Sequence, residues 1–524
     1  MDIIENEKKK RTILYGLLVT VLVLIGVTYA YYRITKTQTN SNVIGTRTCL
    51  NTTLTEETSE IVLSDAFPIS DEDGLKQSPF TFTLTNNCDS YVKVTIALVS
   101  EYRTSTNTAY LKDNYVKSNL LTKGTNDGSS VILSTLSLGE VDTNTQGYVL
   151  KTTGLKNKEA KSFDLRLWLD SETTNEQGLN KTWKGKIVVS VVAAEYVPTF
   201  AETILANNEV KAPITTPGAA ISTADEAEFA STEDDYGTSY YFRGAVTNNY
   251  VEFANKCWRI VRVGGDGSVK LILHNDNTAG VANPCDSANN SASAAFARYS
   301  GTTYTSKFNE KYDDNAYVGF KYGTVGASTY DATHANTNKS TILTNLEAWY
   351  TNNLKTYESV IDDTVWCNDK TNVTDTTFDP WRMTPNGLGY AKNVTYYGAT
   401  KRLVGTSGSA GGTGPSLKCN GELSKINSKV GLITADELAF AGYASLLENT
   451  TTYLQENATD TYWWSLSPYY FRGGRAFVWY VNGSSGYFGD GYVRDALGVR
   501  PSISLKSTTN VTRNGTSEDP YIIE

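Results

Sequence analysis

Residues 469–501 read YYFRGGRAFVWYVNGSSGYFGDGYVRDALGVRP, and this stretch divides into two sets of positions. Apolar or small residues recur as a frame at Ala476, Val478, Val481, Phe488 and Val493, closing with Gly498, Val499, Arg500 and Pro501. Tyr, Phe, Arg, Asp, Gly and Ser fill the positions between. Tyr offers a large amphipathic contact area at small rotamer cost, and Gly and Ser adapt their backbone and hydrogen bonds, a composition on which binding loops converge. The frame is therefore expected to fold, with twelve residues turned outward as candidate ligand contacts. These are Tyr470, Phe471, Arg472, Arg475, Phe477, Tyr480, Tyr487, Asp490, Tyr492, Arg494, Asp495 and Leu497. Tyr and Phe would act as anchors, Arg and Asp as orienting charges, and Trp479 stands between core and rim. Ordinary strand packing is the competing account of the aromatic density; the glycine spacing favours exposure.

From Tyr469 to Val499 there is no Lys, Glu, Gln or Met, although the chain contains 31 Lys and 27 Glu. All three basic residues there are Arg. Codons that end in a pyrimidine, with the first two bases randomised, encode Tyr, Phe, Arg, Asp, Gly and Ser but none of the missing types. On these residues, with the Trp463-Trp-Ser-Leu-Ser-Pro468 entry and the Gly498-Val-Arg-Pro501 exit, the chain resembles the variable proteins of diversity-generating retroelements, over residues 236–506. Phe488 stands where that pattern would carry Val. The resemblance implies a C-type-lectin-like domain, similar to that of formylglycine-generating enzymes, whose hypervariable face binds an external ligand.

The length of 524 residues allows two or three domains. A net charge of −9 without a basic stripe argues against a nucleic-acid partner. Residues 12–32 form an apolar run long enough to span a bilayer as a helix. Lys8, Lys9, Lys10 and Arg11 precede it, which predicts a cytoplasmic tip at 1–11, a single-pass cell-membrane anchor at 12–32 and the bulk of the chain outside the cell. Cleavage as a signal peptide, with Ala30 near the end of the run, is the other reading. The six cysteines all follow this run, and an oxidising compartment suggests three disulfides. Neighbouring pairs are the economical choice: Cys49 with Cys88, Cys257 with Cys285, Cys367 with Cys419. No C-x-x-C occurs, so no metal is expected.

Residues 44–196 alternate as strands, as in Phe80-Thr-Phe-Thr-Leu-Thr85, and predict an antiparallel β-sandwich stalk. With the TNNCDSYVKVTIAL segment, this part resembles camelysin/TasA-type envelope domains. Residues 197–235 carry Pro198, Pro213, Pro217 and a run of acids, and are expected to be a linker. The domain expected at 236–524 opens with strands around a Gly264-Gly-Asp-Gly267 turn. It continues with an amphipathic helix over 340–361 and a second helix from Thr434, where Thr434 and Glu437 form a capping box and Gly442 ends it. The fold class is thus mostly β, with an α+β C-terminal domain. Arg500 is expected to be a buried ion-pairing residue of the frame.

Hydrolase and nucleotide-binding signatures are absent, and the only histidines are His274 and His334, the latter expected to be a hydrogen-bonding loop residue. Formylglycine-generating enzymes work through a late cysteine pair, whereas this chain has no cysteine after Cys419. The Glu-Pro-Asn or Gln-Pro-Asp triplet of calcium-dependent lectins is missing too. The expectation is a non-enzymatic, cofactor-free surface receptor or adhesin for an extracellular protein or glycan. The alternative is an envelope or biofilm-matrix structural protein built on the sandwich.

Overall fold

A computed structural model describes residues 34–37, 51–56, 61–63, 66–123, 130–140, 145–219, 221 and 225–523. The helix expected at 12–32 lies outside the described residues, and among those described no helix is long and apolar enough to cross a membrane. The fold is mostly β, and the chain divides into two compact units at Val197/Pro198.

In the first unit two six-stranded sheets face each other across one core. One sheet is ordered Ile34–Thr37, Trp183–Ala193, Val92–Ser100, Gln146–Leu155, Leu138–Glu140, with Ile61–Leu63 also paired to Trp183–Ala193; the other is ordered Thr52–Glu56, Phe80–Asn86, Ala160–Asp170, Val116–Thr122, Val131–Ile132, with Pro68–Ile69 also paired to Ala160–Asp170. The period-2 pattern of FTFTLTN places Phe80, Phe82 and Leu84 inward, against Val92, Val94, Ile96 and Leu98 of the opposing sheet. Within this core Asp113 accepts hydrogen bonds from the Tyr148 hydroxyl (2.8 Å) and the Trp183 indole N–H (2.7 Å). Truncating Asp113 to alanine leaves both donors buried without a partner. The expected cost is about 2 kcal/mol, read by denaturant unfolding; an unchanged midpoint would show that the two donors find other acceptors.

The second unit begins earlier than the sequence suggests. The expected linker at 197–235 holds the helix Phe200–Asn207 and the strand Ala227–Asp234, both integral to this unit. Thr199 and Glu202 form a capping box, and Phe200 and Ile204 are buried in the core. The acidic run does not simply repel itself, because two of its members have cationic partners on the following strands of the same sheet. Glu226 meets Arg243 at 2.6 Å, and Asp234 meets Arg262 at 2.9 Å.

The strands Lys256–Val263 and Val269–Asn275 pair as the expected hairpin inside an eight-stranded sheet that also holds Gly237–Gly244 and Ser502–Leu505. The amphipathic helix is shorter than expected, Thr341–Asn353, capped by Ser340 and burying Ile342, Leu343, Leu346, Trp349 and Tyr350. A 3-10 turn at Lys355–Tyr357 follows it, and Ile361 instead bridges to Leu505. The helix Ala435–Ala441 has the expected Thr434–Glu437 capping box and ends at Gly442, whose φ of 120° suits glycine. Cys257–Cys285 and Cys367–Cys419 are disulfides. Cys88 is disulfide-bonded as well, and Cys49, the partner expected for it, lies outside the described residues.

Candidate binding face

The 469–501 window builds most of a second, six-stranded sheet, in the order Thr305–Ser306, Leu497–Gly498, Trp463–Arg472, Arg475–Val481, Phe488–Tyr492, with Thr395–Tyr396 also paired to Trp463–Arg472. Gly473 and Gly474, both at positive φ, make the two-residue turn that sets Arg472 opposite Arg475. Pro468 sits at an irregularity of its strand, where the missing N–H disturbs no regular ladder.

Register decides which side chains share a face. Tyr470 pairs with Phe477, and Phe477 with Tyr492, so these three rings form a row across three strands. Ring centroids are 4.9 Å apart for the first pair and 5.6 Å for the second. Tyr312, from a distant loop, continues the row at 5.0 Å from Tyr492 and is held to the sheet by its carbonyl, which accepts the Ala476 N–H at 2.8 Å.

Two residues along on the same face are the arginines. The Arg472 guanidinium lies 5.2 Å from the Tyr470 ring centre, Arg475 lies 5.3 Å from Tyr492, and Arg494 lies 4.7 Å from Tyr312. All three arginines are exposed, and none has a carboxylate partner within ion-pair distance among the described residues. Asp495 is exposed beside them. Asp490 is half-buried and accepts the Tyr470 hydroxyl at 2.8 Å. Burial lifts its carboxyl above the ordinary value, with the Tyr470 hydrogen bond and the Arg472 charge offsetting only part of that. Burial likewise pushes the Tyr480 and Tyr492 hydroxyls up to about 12, so both are neutral donors at ordinary pH.

Three of the twelve expected contacts are core residues instead. Phe471 is fully buried because successive strand residues point to opposite faces; with Tyr470 on the row, Phe471 must point the other way, into the core beside Ala476. Leu497 is buried where the short strand Leu497–Gly498 pairs with Thr305–Ser306. Tyr470 keeps its place in the row but only 5% of it is exposed, because Trp381 and Tyr396 pack over it. Of the rest, Arg472, Arg475, Arg494 and Asp495 are exposed, and Phe477, Tyr480, Tyr487, Asp490 and Tyr492 are half-buried. Trp479 belongs to the core, edge-on to Tyr469 and tilted against Phe488.

The expected frame residues Ala476, Val478, Val481, Phe488, Val493 and Val499 are all buried. Gly491 also proves to be frame rather than adaptable surface, since a Cβ there would lie 2.7 Å from the Trp464 ring, whereas a Cβ at Gly473 or Gly474 would meet open space. Arg500 is buried as expected, but among the described residues it has no ion-pair partner. It donates to the carbonyls of Leu273 and Leu454 and lies against Trp463, and burial lowers its pKa to about 10. His334 is buried, with Nε2 hydrogen-bonded to the Gly389 carbonyl, and burial drives its pKa down to about 3. Tyr312 and Trp381 escaped sequence reasoning because each reaches the face from a loop whose local pattern carries no sign of it.

The face has ring surfaces, hydroxyl donors and guanidinium forks in a fixed array. Such groups can hold a ligand by stacking and charge-assisted hydrogen bonds. Among known proteins, a family profile described as "Domain of unknown function (DUF6273)" matches residues 400–507, which include the whole window. No curated protein and no solved structure matches the chain.

Proposed function

We propose that this chain is a membrane-tethered surface receptor or adhesin that binds an external ligand, without catalysis, through the face formed by 469–501. The observation that carries this reading is the half-buried row Phe477–Tyr492–Tyr312 with exposed Arg472, Arg475 and Arg494 beside it, none of the three arginines having a carboxylate partner among the described residues. Exposed guanidiniums that meet no carboxylate among the described residues contribute little to stability, and aromatic and arginine side chains are the groups on which binding energy concentrates. The C-type-lectin-like assignment, the kinship with retroelement-diversified proteins and the anchor at 12–32 belong to this proposal. The separation of a buried frame from an exposed set supports it, since exposed positions can vary without unfolding the sheet.

The test is a mixed glycan and protein array probed with the purified chain and with a variant carrying Arg475→Ala and Tyr492→Ala. A ligand whose signal falls by about tenfold or more in the variant, at unchanged thermal stability, is the expected result. Ligands that bind both proteins alike would sink the assignment of this face.

A further inference from the structure

The ligand class can be read from how the two kinds of group are arranged, and this step rests on the binding role proposed above for the same face. The rings do not run along a strand. Tyr470, Phe477 and Tyr492 cross three paired strands and Tyr312 continues them from a loop, at 4.9, 5.6 and 5.0 Å from one to the next, while the Arg472, Arg475 and Arg494 guanidiniums lie 5.2, 5.3 and 4.7 Å over the Tyr470, Tyr492 and Tyr312 rings. A ligand laid on this row meets half-buried rings tilted to one another by 37° and 70°, with positive charge beside each of them.

We propose that the ligand is an acidic polysaccharide, whose pyranose rings stack over Phe477, Tyr492 and Tyr312 while its carboxylate or sulfate groups engage Arg472, Arg475 and Arg494. A pyranose ring has a C–H face that packs on an aromatic ring and carries its charged substituents at the rim, and repetition of the sugar unit matches repetition of the rings. The guanidinium forks suit planar or tetrahedral oxyanions. Charge complementarity favours the same class: the whole chain carries −9, yet this patch presents three exposed arginines against exposed Asp495. An acidic peptide fits less well. An extended peptide is held chiefly by backbone hydrogen bonds, and the central strand Arg475–Val481 is already paired on both sides, to Trp463–Arg472 and Phe488–Tyr492.

Titration of the full chain with four soluble probes tests the assignment: polygalacturonate, its methyl-esterified neutral form, dextran sulfate and poly-L-glutamate. The expected result is saturable binding of at least one acidic polysaccharide, about tenfold tighter than the esterified polymer or polyglutamate and weakened by salt. Which of polygalacturonate and dextran sulfate binds distinguishes carboxylate from sulfate. Phe477→Ala and Arg475→Ala are each expected to weaken that binding about tenfold. Polyglutamate binding as tightly, binding indifferent to Phe477→Ala, or no binding of either acidic polysaccharide would overturn the ligand class. If the class fails while a neutral or protein ligand from the array still depends on Arg475 and Tyr492, the face keeps its role. If a polysaccharide binds but ignores both substitutions, the face itself is refuted.

Discussion

Replacing Glu437 with alanine is expected to destabilise the second unit by about 3–5 kcal/mol, because it leaves two cations buried without their counter-charge. The Glu437 carboxylate lies 2.6 Å from the Lys270 ammonium and 3.0 Å from the Arg262 guanidinium, and its other oxygen accepts the Thr434 N–H at 2.9 Å. It therefore closes the N-terminus of Ala435–Ala441 and anchors that helix to the strands Lys256–Val263 and Val269–Asn275. These charges, with Asp234, Arg402 and Asp436, line a cavity of about 260 Å³. Burial opposes the charged carboxylate, but the Lys270 and Arg262 charges outweigh it and hold the Glu437 pKa at about 2, against an ordinary 4.5. A depressed folded-state pKa means that the stabilisation is complete above pH 4.5 and is lost as pH falls toward 2, a contribution of roughly 3 kcal/mol. The parent protein should therefore lose more stability than Glu437→Ala between those two pH values. Calorimetric unfolding of both proteins across that range is the measurement. A loss under about 1 kcal/mol at neutral pH, or parallel acid profiles, would mean that Lys270 and Arg262 relax to other partners.

Features governed by neighbours in sequence were legible before the structure. The capping box at Thr434 and Glu437, the hairpin around Gly264–Gly267 and the alternation of Phe80, Phe82 and Leu84 each follow from a few adjacent residues. What was missed depends on contacts between distant segments. The acids of 225–235 looked like a solvated linker because Arg243 and Arg262, which neutralise Glu226 and Asp234, lie on strands that meet them only in the folded sheet. Arg500 was expected to need a carboxylate, yet two backbone carbonyls and the Trp463 ring take its charge. No pattern local to Tyr312 indicates that its ring would extend a row built by Tyr470, Phe477 and Tyr492.

The division of the window into frame and face makes a sharper expectation than composition could. Phe471 and Arg475 both lie in the stretch that sequence reasoning turned outward, but only one faces outward. Phe471→Ala is expected to cost about 3–5 kcal/mol, because a fully buried ring beneath a strand paired on both sides leaves a cavity that the sheet cannot close. Arg475→Ala is expected to change stability by no more than about 0.5 kcal/mol, since its guanidinium is exposed and lies over the Tyr492 ring with no carboxylate partner among the described residues. Ligand affinity should show the reverse order once the fraction of folded protein is allowed for: Arg475→Ala weakens binding, and folded Phe471→Ala retains it. Denaturant unfolding of each variant, paired with titration by the same ligand, separates the two effects. Equal stability losses at the two positions would mean that the register joining Tyr470 to Phe477 is wrong by one residue, which would turn every side chain of that strand to the opposite face.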